Sequence, residues 1–221
     1  MKFDFQAVLF DFDGTLADSY DAIAASVNHV RARRGHTALT VEEVKTYVGR
    51  GPEYLLEHTI PDCRLEDDIA AYRAHHPSVM VSLTRILPGA HELLALLRER
   101  GIKIGLCSNK PRIFSQALLE HLGVASLFDA VLGPEDVPRP KPAPDMLLAA
   151  VRRIGLNPAQ VLYVGDMVVD VLTARAAGVP VWTVPTGSEA FAALCDAKPD
   201  RMLRDLEELV ADLRSLWYAS N

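Results

Sequence analysis

The feature that most constrains this chain is a repeated alternation of short apolar runs and amphipathic segments. Six runs are strand candidates, at residues 7–10, 102–107, 130–132, 161–164, 179–184 and, more weakly, 201–203. Helical patterns occupy residues 90–100, 112–122, 145–154 and 168–177, and each is followed by a glycine that can cap a helix. Most of the strand candidates are apolar throughout, which is typical of a parallel sheet covered on both faces. The sequence therefore predicts an α/β fold with a doubly wound, mostly parallel sheet.

One long segment interrupts this alternation. From residue 17 to about residue 84 the pattern predicts no strand, and helices are expected to residue 34 and at 41–48, 53–60 and 65–75. Thr40 and Glu43 have the spacing of a capping box at the start of the second of these helices. We therefore predict an all-helical domain, residues 17–84, inserted into an α/β core domain formed by residues 1–16 and 85–221.

Composition excludes several classes of function. The net charge is −6 and no basic block occurs, which argues against a nucleic-acid partner or a membrane surface. The first ten residues do not have the pattern of a signal peptide or an anchor, and no apolar run approaches the ~18 residues that span a bilayer. Cys63, Cys107 and Cys195 are scattered without metal-like spacing, so reduced thiols and a cytoplasmic location are expected.

Acidic pairs follow two of the predicted strands. Asp11 and Asp13 follow the first strand, and Asp166 and Asp170 follow the fourth. Each pair alone could cap a turn or a helix, and an EF-hand loop is excluded because glycine and glutamate are missing at its sixth and twelfth positions. Ligands bind at the carboxyl ends of strands in open α/β sheets. Four close carboxylates repel one another unless a cation lies among them, so the pattern predicts a Mg²⁺ site.

Further polar residues follow the predicted strands. Gly14 and Thr15 follow the first acidic pair and are predicted to approach the ligand. Ser108 and Asn109 follow the second strand, where they could bind an anionic oxygen or simply cap a helix. Lys141 lies in the proline-rich stretch PRPKPAP, which is either a stiff linker or a rigid mount for a catalytic ammonium group.

Together these motifs resemble a known family. DFDGTLADS, SN, KPAPD and GDMVVD, in this order, are similar to the four motifs of the haloacid dehalogenase superfamily of phosphotransferases. The resemblance covers nearly the whole chain, and the helical insert is similar to the cap domain of the phosphoglycolate phosphatase-like branch. It implies a Mg²⁺-dependent phosphoric monoester hydrolase that acts on a small phosphorylated metabolite.

The resemblance also implies roles for individual residues. Asp11 would be the nucleophile that forms an aspartyl phosphate, and Asp13 the general acid and then the general base. Ser108 and Lys141 would bind phosphoryl oxygens. The metal ligands would be Asp11, the main-chain carbonyl of Asp13, and Asp166, with Asp170 orienting them. Met167 departs from the small residue common at its position, which leaves the bonding of that loop in doubt.

The substrate is less constrained. Arg50 lies between two glycines in a stretch that resembles the V-G-x-G segment of phosphoglycolate phosphatases, so it could bind a carboxylate or remain a solvated arginine. 2-Phosphoglycolate is the smallest substrate that fits the first alternative. Other phosphate esters, pyrophosphate, an isomerase like β-phosphoglucomutase and a non-catalytic phosphate-binding regulatory domain are the alternatives. The sequence does not distinguish a monomer from a homodimer.

Overall fold

A single parallel sheet forms the centre of the protein. The computed structural model describes residues 3–218. Its strands are β1 (Ala7–Phe10), β2 (Ala17–Asp18), β3 (Arg85–Ile86), β4 (Lys103–Cys107), β5 (Ala130–Leu132), β6 (Val161–Gly165), β7 (Val181–Thr183) and β8 (Arg201–Met202). Six of the described strands form one sheet in the order β5-β4-β1-β6-β7-β8, and each neighbouring pair is parallel. The predicted fold class is confirmed.

Helices cover both faces of this sheet. They are α1 (Tyr20–Arg33), α2 (Val41–Lys45), α3 (Pro52–Thr59), α4 (Leu65–Leu83), α5 (Ala90–Glu99), α6 (Arg112–His121), α7 (Asp145–Arg153), α8 (Val168–Ala177), α9 (Phe191–Ala197) and α10 (Leu206–Tyr218). Successive side chains of a strand point to opposite faces. Val8 and Phe10 of β1 accordingly pack with α5, α6 and α10, and Ala7 and Leu9 pack with α7 and α8. This two-sided burial explains why β1 is apolar throughout.

The position of β1 determines where the site forms. β1 pairs with β4 on one side and with β6 on the other, with Phe10 opposite Leu106 and Val164. Because these three strands are parallel and in register, their carboxyl ends meet at one edge of the sheet. The loops that follow them therefore converge, although they are far apart in the sequence.

The segment between β1 and α5 has its own apolar cluster. Residues from α1 to α4 bury one another there, with Val27, Val30 and Leu56 fully inaccessible to solvent. The capping box predicted at α2 is present, with Thr40 and Glu43 each bonded to the other's main-chain N–H. This cluster is distinct from the two that flank the sheet.

Three local predictions for this segment were wrong. The structure adds a short antiparallel ribbon, in which Ala17 pairs with Ile86 and Asp18 with Arg85. A strand of two residues is too short to produce a periodic pattern, so this ribbon could not be predicted. Helix α4 continues through Pro77 to Leu83, eight residues beyond its predicted end at residue 75. Helix α2 ends at Lys45, three residues before its predicted end at residue 48.

The membrane prediction can also be compared with the structure. Among residues 3–218, none of the helices combines the length and the apolar character that a membrane crossing requires.

Candidate active site

Three buried carboxylates lie together at the carboxyl edge of the sheet. Oxygen atoms of Asp11, Asp166 and Asp170 all lie within 4.8 Å of one another. Asp11 follows β1, whereas Asp166 and Asp170 lie at the end of β6 and in the first turn of α8. The topology therefore brings together both acidic motifs, as the sequence predicted.

Burial and mutual repulsion disfavour the charged forms of this cluster. Burial raises the pKa of Asp11 to about 6, against the opposing charge of Lys141, and the charge of Asp170 adds to the increase. Burial raises the pKa of Asp166 well above its ordinary value, and the charges of Asp170 and Asp11 act in the same direction. A bound divalent cation would offset both effects, because it stabilises nearby negative charge.

The surroundings of Asp166 fit such a cation. Its Oδ2 atom is buried and has no hydrogen-bond partner among residues 3–218. A Cβ atom on Gly14 would come within 2.5 Å of this oxygen, and one on Gly187 within 1.5 Å, so both glycines leave space beside it. A hard cation such as Mg²⁺ prefers carboxylate oxygens, so the donor set is suitable.

Gly14 and Thr15 support this arrangement. The Thr15 hydroxyl donates to Oδ1 of Asp166 at 2.7 Å. Gly14 has φ +84°, a conformation that favours glycine. Both residues were predicted to contact the ligand, and in the structure they orient and make room for the Asp166 carboxylate.

Lys141 is fixed within the acidic cluster. Its Nζ atom lies 3.0 Å from Asp11 Oδ1 and 2.7 Å from Asp170 Oδ1, and it donates to the Tyr163 hydroxyl at 3.0 Å. Burial alone lowers the pKa of Lys141, but the charges of Asp11 and Asp170 outweigh it and raise that pKa above its ordinary value. The proline-rich stretch thus mounts a buried ammonium group beside Asp11, as one of its two interpretations predicted.

Asp170 organises the loop around it. Its Oδ2 atom accepts from the main-chain N–H groups of Asp166 and Met167, at 3.1 Å and 3.0 Å. The loop is therefore held through its backbone, so the missing side-chain donor at Met167 does not leave it unsupported. The Met167 thioether instead fills the space beside Gly49, where a Cβ atom would lie 2.2 Å from its sulfur.

Ser108 and Asn109 have different environments. The Ser108 hydroxyl lies close enough to the Asp11 carboxylate to limit the rise in the pKa of Asp11. Asn109 donates to the carbonyls of Gly49 and Lys141, at 3.0 Å and 3.1 Å, and accepts from the Lys141 N–H at 3.0 Å. Both amide hydrogens of Asn109 are therefore in use. The predicted contact between Asn109 and a substrate anion would require one of these bonds to break. In this geometry Asn109 positions the Gly49 and Lys141 loops.

Asp13 is paired with a lysine and is not part of the three-carboxylate cluster. Its two oxygens lie 2.9 Å and 3.1 Å from Lys110 Nζ, and it also accepts from the Ser19 hydroxyl. Any contribution of Asp13 to a cation site would thus come from its main-chain carbonyl. Sequence reasoning missed Lys110. Its position two residues after Ser108, at the end of a central strand, was the available signal.

A small cavity lies between this edge of the sheet and the helical segment. Its volume is about 40 Å³. Asp11, Asp13, Ser108 and Lys110 form its sheet side. The helical side is formed by Ile23, Val48, Gly49, Gly51, Pro52, Leu55, Tyr72 and His76. The cavity thus places the predicted nucleophile against a mostly apolar wall.

Arg50 does not line this cavity. Its neighbours Gly49 and Gly51 do, but the exposed Arg50 side chain stacks on Tyr54, with its guanidinium 4.9 Å from the ring centre. Arg50 instead borders an adjacent crevice with Lys141 and Met167. The loop approaches the site as predicted, but its backbone and not the arginine forms the wall. The structure thus places the Arg50 side chain outside this cavity, and its contact with a substrate carboxylate stays a prediction.

His76 is an uncommon feature of the cavity wall. It is fully buried, its Nδ1 atom lies 3.0 Å from the Ser26 hydroxyl, and its Nε2 atom has no partner among the described residues. Burial and the charge of Lys110 lower the pKa of His76 to about 3. His76 is therefore neutral at physiological pH.

This burial predicts acid sensitivity of the fold. The pKa of His76 is 6.5 in the unfolded chain and about 3 when folded, so the unfolded state binds the extra proton below pH 6.5. Stability is complete above that pH and falls as the pH decreases. Between pH 7 and pH 5 this group should remove about 2 kcal/mol from the free energy of unfolding.

Urea denaturation at both pH values checks this expectation. His76→Gln should lose about 2 kcal/mol less than wild type on acidification, whereas His91→Gln, exposed on α5, should follow wild type. Equal pH dependence in all three proteins would contradict the assignment.

Comparison with known proteins identifies the family. The protein has an α/β core with a buried lysine and a buried acidic cluster at one edge of its sheet. The sequence model of the haloacid dehalogenase-like hydrolases matches residues 8–184. The chain belongs to this haloacid dehalogenase-like hydrolase family.

Individual relatives are similar over most of the chain. The phosphoglycolate phosphatase of Cereibacter sphaeroides is 38% identical over 178 residues, 77% of this chain and 81% of that protein. The phosphoglycolate phosphatase of Escherichia coli K12 is 32% identical, and the match covers 95% of this chain and 93% of that protein. A haloacid dehalogenase-like hydrolase structure from Bacteroides fragilis is 33% identical and superposes with a TM-score of 0.86. The match covers 93% of this chain and 99% of that chain. The predicted superfamily, its phosphoglycolate phosphatase-like branch and an enzyme of the phosphatase class are confirmed.

Proposed function

We propose that this protein is a Mg²⁺-dependent phosphatase that hydrolyses 2-phosphoglycolate through an aspartyl phosphate on Asp11. The observation that carries the proposal is the position of Asp11, which has the Lys141 ammonium group at its carboxylate and lines a small cavity together with Ser108. The substrate is supported by the similarity to two phosphoglycolate phosphatases and by a cavity with room for a small leaving group.

The residues act in sequence on the substrate. Asp11 attacks the phosphorus atom, and Ser108 and Lys141 bind the phosphoryl oxygens and hold them in line. Asp13 gives a proton to the leaving oxygen and then takes one from the water that cleaves the acyl phosphate. Asp170 and Thr15 keep Lys141 and Asp166 in position through the bonds described above.

Mg²⁺ would be held by Asp11, Asp166 and the main-chain carbonyl of Asp13, with Asp170 orienting the group. When bound, the ion supplies positive charge that offsets the charge of the phosphoryl group. The cluster otherwise concentrates three carboxylates against the single ammonium group of Lys141.

Residues 17–84 form the cap domain in this proposal, and residues 1–16 and 85–221 form the core. The separate apolar cluster of α1 to α4 supports a unit that can move as a body. The chain enters and leaves it through the short ribbon of β2 and β3. Closure of the cap would exclude bulk water from the phosphorylated Asp11 until the leaving group departs.

A turnover screen with Mg²⁺ tests this function. We expect inorganic phosphate release from 2-phosphoglycolate with a kcat/KM above that for hexose phosphates, nucleotides and pyrophosphate. Preference for another ester would leave a phosphatase with a different substrate. Conversion of a sugar phosphate without net phosphate release would favour the isomerase alternative.

Metal removal should abolish turnover. Activity is expected to vanish in excess EDTA, to return with Mg²⁺ and to be inhibited by Ca²⁺, because the longer bonds and higher coordination number of Ca²⁺ spoil the in-line geometry. Phosphate release measured at a series of free Mg²⁺ concentrations checks this. Full activity in EDTA would rule out the metal-dependent mechanism.

A further inference from the structure

The cavity is lined by a lysine side chain, Lys110, that the mechanism above does not use. Lys110 has a side chain only 4% exposed, and its Nζ atom lies against both oxygens of Asp13. Lys141 does not line this cavity. Among the described residues that do, Lys110 is the one lysine, and none is an arginine.

Lys110 lies on the side of the site where the leaving group must be. Its main-chain N–H donates to the Ser108 hydroxyl oxygen at 3.3 Å, so it is next to the group proposed to bind the phosphoryl oxygens. Its ammonium group contacts Asp13, which acts on the leaving oxygen. A group attached to that oxygen would therefore come within reach of Lys110.

The rest of the cavity wall restricts what this group can be. Ile23, Leu55 and Phe114 provide apolar surface, which disfavours the many hydroxyls of a sugar because they would be buried without partners. His76 also lines the cavity, and its buried Nε2 atom has no partner among residues 3–218. The cavity volume of about 40 Å³ is small, which also disfavours a sugar.

We propose that Lys110 is the specificity-determining residue of this enzyme and that its ammonium group binds the carboxylate of a leaving group of two or three carbons. This inference rests on the proposed phosphatase function and names the substrate class of the same site. It assigns to Lys110 the role that the sequence suggested for Arg50, whose side chain lies outside the cavity.

A second role for Lys110 must be separated from the first. Its contact with Asp13 also neutralises a catalytic carboxylate, and loss of that contact would slow every substrate. Two substrates that differ only in the leaving-group charge separate the roles. 2-Phosphoglycolate carries a carboxylate where 2-hydroxyethyl phosphate, of nearly the same size, carries an uncharged CH₂OH group.

The experiment compares kcat and KM for these two esters in wild type, Lys110→Met and Arg50→Met. We expect wild type to prefer 2-phosphoglycolate. Lys110→Met should lower kcat/KM for 2-phosphoglycolate by about 30-fold more than for 2-hydroxyethyl phosphate, the scale of a lost hydrogen bond to a charged group. Most of the selective loss should be in KM. Glycolate should inhibit wild type and should inhibit Lys110→Met much less.

Several outcomes would overturn the inference. Equal loss on both esters in Lys110→Met would leave Lys110 as a partner of Asp13 only. A selective loss in Arg50→Met, with Lys110→Met unselective, would return the role to Arg50. In either case the phosphatase function stands. Failure of wild type to hydrolyse either ester would instead overturn the proposed function, and this inference with it.

Discussion

Replacing Asp11 with asparagine is expected to lower kcat by at least about 10³-fold, equivalent to about 4 kcal/mol of activation free energy. The change keeps the shape of the side chain but removes the charge that attacks phosphorus. It also removes one of the two carboxylates that would hold the metal. Steady-state release of inorganic phosphate from 2-phosphoglycolate measures the effect.

The control for this variant separates chemistry from folding. Asp21→Asn changes an exposed aspartate on α1 and should leave kcat near the wild-type value. The Asp11→Asn protein should still unfold cooperatively in urea. A folded Asp11→Asn enzyme with near-normal turnover would exclude Asp11 as the nucleophile.

Replacing Lys141 with methionine should have the second-largest effect. Methionine has similar length, but it removes the ammonium group that contacts Asp11 and Asp170 and leaves their charges unopposed in a buried site. We expect kcat to fall by about 10²- to 10³-fold, the scale of losing one preorganised donor to a transition-state charge. The same phosphate-release assay, with Mg²⁺ in excess, measures the loss.

A neighbouring proline provides the comparison for Lys141. Pro140→Ala should reduce kcat far less, because it loosens the mount of the lysine without removing its charge. If Lys141→Met is folded and retains full turnover, the proline-rich stretch is only a linker. If the two variants lose equal activity, rigidity of the loop matters as much as the charge.

The sheet could be predicted because its sequence signals are local. The boundaries of β1 and α8 were predicted to the residue, since each apolar run or helix ends at a polar residue or a glycine. Parallel strands with adjacent carboxyl ends then required that Asp11 and Asp166 meet, although 155 positions separate them in the sequence. The predicted parallel sheet was therefore sufficient to predict that the acidic motifs after β1 and β6 form one cluster.

The helical segment was less predictable because its features depend on distant contacts. The Arg50 side chain stacks on Tyr54, a local contact that the glycine-flanked motif did not indicate. Helix α4 continues past Pro77 because His76 and Met80 are buried, which outweighs the local cost of a proline. The role of Asn109 likewise depends on carbonyls of Gly49 and Lys141 that come from other loops.

The central claim is that Asp11 forms a covalent bond to phosphorus during turnover. Rapid-quench mass spectrometry on a single turnover of 2-phosphoglycolate, with Mg²⁺ present, tests it most directly. The account predicts that one phosphoryl group appears on the peptide containing Asp11, and that it forms and decays at rates consistent with kcat. Turnover at the normal rate without a phosphorylated peptide, or with the phosphoryl group on another residue, would contradict it.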